Sequence, residues 1–155
     1  MQVQLVSAEG ERRELRHLPD DSFDPRVSPD GRWLAYTAFE GERPEIFVAR
    51  TDGSGAPRRL SRNGGVLPRW RGNGRELFFV QLDGMMVAVT LPVPSLLFRV
   101  EGAQPNFSDY RDSERWFDYD VTADGQRFLI RQSVAGNESA DNLRVVVGWS
   151  SVASR

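Results

Sequence analysis

Apolar residues in this chain come in short runs separated by clusters of Asp, Asn, Gly, Pro and Ser. The runs Trp33–Ala38, Glu76–Val80 and Arg127–Arg131 are aromatic and aliphatic and too short for good helices, so they predict strands. Just upstream stand Asp30-Gly31, Asn73-Gly74 and Asp124-Gly125. These pairs signal hairpins, because Gly takes a positive φ without Cβ strain and Asp or Asn bonds its own backbone. Pro29 presets φ ahead of the first turn. A third strand is expected in each unit, at Glu45–Arg50, Met85–Thr90 and Leu143–Gly148, with short outer strands at Arg58–Leu60 and Leu96–Val100. Alternation sends Trp33, Ala35 and Thr37 one way and Leu34, Tyr36 and Ala38 the other; Leu77 and Phe79 likewise oppose Phe78 and Val80. Both faces are apolar, which predicts sheets covered on both sides.

The units repeat in register. Pro25-Arg26-Val27-Ser28-Pro29-Asp30-Gly31 aligns with Pro68-Arg69-Trp70-Arg71-Gly72-Asn73-Gly74 and with Tyr119-Asp120-Val121-Thr122-Ala123-Asp124-Gly125. Gly31 and Gly74 are 43 residues apart, as are Gly10 and Gly53, while Gly74 and Gly125 are 51 apart. Two glycine pairs in one phase describe stacked blades of ~40–45 residues rather than a lone β-sandwich. The same phase turns Glu9–Leu18, which could be read as a charged helix, into strand–turn–strand, with Val3–Ser7 opposite Ile46–Arg50. Only Leu15 and Leu18 support the helix.

The strings Ser28-Pro29-Asp30-Gly31-Arg32-Trp33-Leu34-Ala35-Tyr36 and Glu45-Ile46-Phe47-Val48-Ala49-Arg50-Thr51-Asp52-Gly53 resemble TolB-type propeller repeats. The second unit departs from that pattern with Arg71-Gly72-Asn73-Gly74, and the third with Thr122-Ala123-Asp124-Gly125. Segments around Leu67–Phe79, Tyr119–Leu129 and Val145–Trp149 are also similar to the C-terminal ends of bacterial serine/threonine kinase or regulatory proteins. The resemblance implies an all-β fold, a partial TolB-like β-propeller of about three to three and a half antiparallel blades. It also implies a sensory or interaction role and a periplasmic or extracytoplasmic setting. The expected division is a half blade at 1–23, blades at 24–62 and 66–101, a loop at 102–114, a blade at 115–149 and a tail at 150–155. Propellers of this type usually close with six blades, or about 250 residues. Uncovered end blades would expose apolar faces and unpaired edges, which invites self-association. A fragment of a longer protein ranks ahead of paired copies.

Composition narrows the chemistry. All 20 basic residues are Arg, against 22 Asp and Glu, and the net charge of -2 gives no case for a nucleic-acid binder. No window reaches 18 apolar residues, so no membrane insertion is expected, and the first residues lack the basic and apolar regions of a signal peptide. With Cys at 0, thiolate metal sites and Cys nucleophiles are excluded. One His, His17, and no Gly-x-Ser-x-Gly leave no triad, so no catalytic residue is assigned and the chain reads as no enzyme. Asp118-x-Asp120-x-x-x-Asp124-Gly125 lacks the ligand spacing of a calcium loop, and no Gly-rich phosphate loop is present, so no metal and no cofactor are expected. Trp33, Trp70, Phe78, Phe79, Trp116 and Trp149 read as inter-blade core rather than as nucleic-acid stacking platforms.

Binding is expected at two places. Arg26 and Arg69 occupy equivalent innermost-strand positions, and Asp120 takes that position in the third unit, so all three should line the mouth of the propeller. There the arginines either contact an acidic partner or pair with Asp24, Asp118 or Asp120. The polar segment Gly102–Glu114 accounts for the longer 51-residue interval, with Phe107 and Tyr110 as its candidate contacts. The function expected is a non-catalytic protein-interaction or sensor module with a protein partner. The alternative is an accessory propeller segment of a prolyl-oligopeptidase-like hydrolase.

Overall fold

A computed structural model describes residues 2–6, 8–90, 93–99, 118–132 and 142–147. These residues form thirteen strands in four antiparallel sheets and no helix. The first sheet pairs β1 (Gln2–Val6) with β2 (Arg12–His17). The second runs β3 (Phe23–Val27), β4 (Trp33–Glu40), β5 (Arg43–Arg50) and β6 (Arg58–Arg59) in that order. The third is β7 (Val66–Trp70), β8 (Glu76–Val80), β9 (Met85–Thr90) and β10 (Val93–Arg99), and the fourth is β11 (Asp118–Val121), β12 (Arg127–Gln132) and β13 (Asn142–Val147). Each sheet is a meander of chain neighbours, as in propeller blades. The fold is all-β and forms a partial propeller.

The helix reading of Glu9–Leu18 fails, because Arg12–His17 is a strand paired with β1. One outer strand starts earlier than its sequence suggests, at Val93 rather than Leu96, and another is shorter, Arg58–Arg59 rather than Arg58–Leu60. The loop candidates Phe107 and Tyr110, and Trp116 and Trp149, lie outside the described residues.

The three anchor glycines sit in matching bends. Gly31, Gly74 and Gly125 have φ of 71°, 69° and 68°. Each donates its N–H to the carbonyl three residues back, on Ser28, Arg71 and Thr122, at 2.8, 2.8 and 2.7 Å. The same three residues donate their N–H to the carbonyls of Trp33, Glu76 and Arg127, at 2.8, 2.9 and 3.0 Å. Inside each bend an Asp or Asn side chain caps an N–H two residues on: Asp30 takes Arg32, Asn73 takes Arg75 and Asp124 takes Gln126, at 2.9–3.1 Å. Only the glycine needs the left-handed region, so the turn is a longer connection rather than a two-residue primed turn.

Between the sheets lie three apolar layers. Leu34, Tyr36 and Ala38 of β4 pack toward β1–β2 with Leu18, Ala49 and Val3. Ala35 of β4, Ile46 and Val48 of β5, Leu77 and Phe79 of β8, and Val87 and Val89 of β9 fill the second layer. Phe78, Val80, Met86 and Ala88 turn the other way and meet Tyr119, Phe128 and Ile130. The Phe78 and Phe128 rings meet edge to face, 5.1 Å apart. Alternation along β4, β5, β8 and β9 therefore serves two cores at once, the face assignment the apolar pattern predicts. Replacing a fully buried Phe of this kind by Ala costs about 3–5 kcal/mol.

Candidate functional site

The first strands of the second and third sheets, β3 and β7, share one local device. β3 and β7 carry a register shift, between Phe23 and Arg26 and between Val66 and Arg69. In each, the residue before Pro takes a left-handed backbone: Asp24 at φ 55° and Leu67 at φ 59°. Such a conformation costs about 1–2 kcal/mol for an L-residue, and a following Pro restricts that residue further. The bulge re-aims the following Pro-Arg pair. Both arginines then fold back identically, Arg26 Nη1 donating to the Pro25 carbonyl at 3.1 Å and Arg69 Nη1 to the Pro68 carbonyl at 3.0 Å.

A cleft of about 500 Å³ opens beside these strands, lined by Arg26, Val27, Pro29, Arg69, Trp70, Asp118, Tyr119 and Asp120. Arg26, Arg69 and Asp120, chosen from the repeat register, thus meet in one place. Arg69 is the most engaged, with its side chain 12% exposed. Its Nη2 reaches Asp118 of the next sheet at 2.9 Å, its Nη1 lies 3.8 Å from Asp24, and its guanidinium stands 5.6 Å from the centre of the Tyr119 ring. Of the two roles open to Arg69 in the sequence, it fills the pairing role, with Asp24 and Asp118. Arg26 pairs with Asp24 at 3.0 Å but keeps 41% of its side chain exposed, and Asp118 keeps 51%. The charges that face solvent here are therefore Arg26 on one sheet and Asp118 and Asp120 on another.

Side chains from one sheet lock onto the backbone of its neighbour around the cleft. Trp70 Nε1 donates to the Arg26 carbonyl at 3.0 Å, and the Tyr119 hydroxyl donates to the Leu67 carbonyl at 2.8 Å. Burial holds the Tyr119 phenol well above its ordinary pKa, so it stays a donor. The sequence pattern singled out neither contact. Trp70 and Tyr119 read only as apolar repeat positions, and their polar ends find partners across a junction that no local spacing encodes. Among the described residues no group of three or more His, Asp or Glu is placed to hold a metal ion. No helix among them is long and apolar enough to cross a membrane.

Two solved structures superpose on this arrangement. TolB from Acinetobacter baumannii matches with a TM-score of 0.61 and 16% identity over 91% of this chain and 36% of its own. A protein from Agrobacterium tumefaciens assigned as a TolB matches with a TM-score of 0.62 and 18% identity over 93% of this chain and 51% of its own. The fold is that of a TolB-like propeller. At the sequence level, the Tol-Pal system protein TolB of Syntrophus aciditrophicus is 42% identical over 43 residues, 28% of this chain and 10% of that protein. No family model matches. The TolB-like chain therefore spans about a third to a half of the structural neighbours' length. Its paired Pro-Arg bulges lie on the first strands of two neighbouring TolB-like sheets, and both arginines line the cleft.

Proposed function

We propose that this chain is a non-catalytic protein-interaction module that binds a protein partner at the inner-strand mouth of a TolB-like propeller. One observation carries the reading. Positions at a single repeat register, Arg26, Arg69 and Asp120, converge from three sheets on one cleft, and two of them are held by strained backbone. Strain of this kind persists where the surrounding structure over-determines it, and it concentrates at binding sites. Rigid sheets fix the cleft, while its exposed rim offers one guanidinium and two carboxylates to polar groups of a partner. Trp70, Val27 and Pro29 supply apolar area beside them. The short sequence match to a Tol-Pal system protein supports partners drawn from an assembly of that kind. A sensor role would use the same mouth.

The test is a binding titration of the purified chain against the other Tol-Pal components of the same organism. Arg26→Ala and the pair Asp118→Ala with Asp120→Ala should each weaken binding by about tenfold or more, the loss of roughly 1.4 kcal/mol. Unchanged affinity in both variants, or no binding by the intact chain, would remove the mouth as the site.

A further inference from the structure

We infer that Asn63 is a self-modification site, deamidated by attack of the Gly64 backbone nitrogen with the buried Glu45 carboxylate as the base. The chain contains two Asn-Gly pairs, Asn63-Gly64 and Asn73-Gly74. A glycine after Asn presents its nitrogen without a Cβ to shield it, so the sequence opens both pairs to this reaction. Both asparagines are exposed, and the two glycines have φ of 79° and 69°. What separates the pairs is what their reacting groups touch.

At Asn73 those groups are occupied. Asn73 Oδ1 accepts the Arg75 N–H at 2.9 Å, and the Gly74 N–H donates to the Arg71 carbonyl at 2.8 Å. Attack there requires the Gly74 N–H to leave its carbonyl and the Asn73 side chain to turn away from Arg75. Among the described residues the Asn63 side chain makes no hydrogen bond or ion pair. The Gly64 N–H faces Glu45, 3.2 Å from Oε1 and 3.2 Å from Oε2, within the reach a general base needs. Gly64 is buried, which keeps solvent hydroxide from its N–H and leaves the carboxylate as the proton acceptor. Glu45 is itself held in place, 2% exposed, by the Ser61 hydroxyl.

The chemistry needs only water from outside. Glu45 takes the Gly64 amide proton as a bond forms from the Gly64 nitrogen to Asn63 Cγ. The bond from Cγ to Nδ2 then breaks, the proton passes from Glu45 to the leaving nitrogen, and ammonia departs from a succinimide. Water opens that ring at either carbonyl, giving aspartate or isoaspartate. The isoaspartyl product carries one more carbon in its main chain, at a place where the chain is closely fitted. A Cβ on Gly64 would sit 2.6 Å from Leu82 Cδ1, and one on Gly65 would sit 2.9 Å from Ile46 Cγ1 and from Phe79 Cδ2. Conversion therefore displaces the Gly64 N–H from Glu45 and loosens the connection between the second and third sheets.

Peptide mapping by mass spectrometry, with an isoaspartyl methyltransferase to report isoaspartate, follows both sites in the folded chain incubated at neutral pH. Asn63 should convert at least about tenfold faster than Asn73, a modest share of the roughly 10²–10⁴ that a positioned base supplies. In urea the two rates should converge, because unfolding removes both the base and the bend. Glu45→Gln still accepts the Gly64 N–H but takes no proton, so it should slow Asn63 at least about tenfold and leave Asn73 unchanged. The ratio in the intact chain decides even where Glu45→Gln fails to fold. Equal rates at the two sites in the folded intact chain overturn the inference. So does a folded Glu45→Gln chain in which Asn63 converts at its original rate.

Discussion

At the scale of single residues, two glycines separate conformational cost from steric cost. A Cβ on Gly31 would meet nothing within 4 Å, so Gly31→Ala is opposed only by its φ of +71°. Urea unfolding should show a loss of about 1–2 kcal/mol. Gly72 has no such φ, but a Cβ there would sit 2.8 Å from the Ala123 carbonyl oxygen, the acceptor of the Gly72 N–H at 3.0 Å. Gly72→Ala must push two sheets apart, and the same measurement should show the larger loss. The turn carboxylates respond to acid. The Ser28 hydroxyl and then the Arg32 N–H hold the Asp30 carboxyl below its usual range, and the Thr122 hydroxyl and Gln126 N–H do so for Asp124. A depressed folded pKa means that this contribution is present above the ordinary carboxylate pKa near 3.8 and is lost as pH falls through the lower folded value. The double variant Asp30→Asn with Asp124→Asn should flatten the fall in stability below pH 4, as read by urea midpoints across pH.

Among the elements, the connection after β6 depends on one buried acid. Glu45, 2% exposed on β5, accepts hydrogen bonds from the Ser61 hydroxyl and from the Gly64 N–H at 3.2 Å. Ser61 Oγ in turn accepts the Ile46 N–H at 2.8 Å. This ties residues 61–64 down against β5, and the Gly65 N–H continues the tie to the Pro44 carbonyl at 2.9 Å. Glu45→Ala orphans these donors, which costs about 1–3 kcal/mol. Amide exchange at Gly64 should accelerate in Glu45→Ala far more than in Glu45→Gln, whose carbonyl still accepts. Equal acceleration in both variants would show that the tie requires the charge. Nothing in the local pattern marks Glu45 as buried. It reads as an ordinary polar strand residue until Ser61 is brought beside it.

Over the whole molecule, stacked sheets behave as a nearly one-dimensional chain in which each unit is stabilised by its neighbours. The second and third sheets are packed on both faces, and the first is packed on one. Native-state hydrogen exchange should therefore find the slowest amides in β4, β5, β8 and β9, with β1–β2 opening at lower free energy. Uniform protection across all four sheets would contradict that order. At the two ends, the exposed large hydrophobics among the described residues are Val6 on the first sheet and Leu129 on the last. Sequence reading expects apolar open faces at the ends; on the described strands β2 and β12 the exposed positions Arg12, Glu14 and Arg127 stand beside those two residues. Repeat periodicity reports the average blade, whereas the end blades carry different outward residues at the same register.

The sequence by itself determined the strands, the three glycine bends and which side chains share a face. Those depend on φ preference and on alternation, which are local and repeat every 43 or 51 residues. It also placed Arg26, Arg69 and Asp120 at a common position. Only the tertiary structure decided what they do there. Arg69 is consumed by Asp24 and Asp118, Arg26 stays half open, and Trp70 and Tyr119 find carbonyl partners on neighbouring sheets. Those pairings join residues 44 to 52 positions apart, from Trp70 to Arg26 and from Tyr119 to Leu67. Their geometry is set by how two twisted sheets stack, and no run of adjacent residues encodes that.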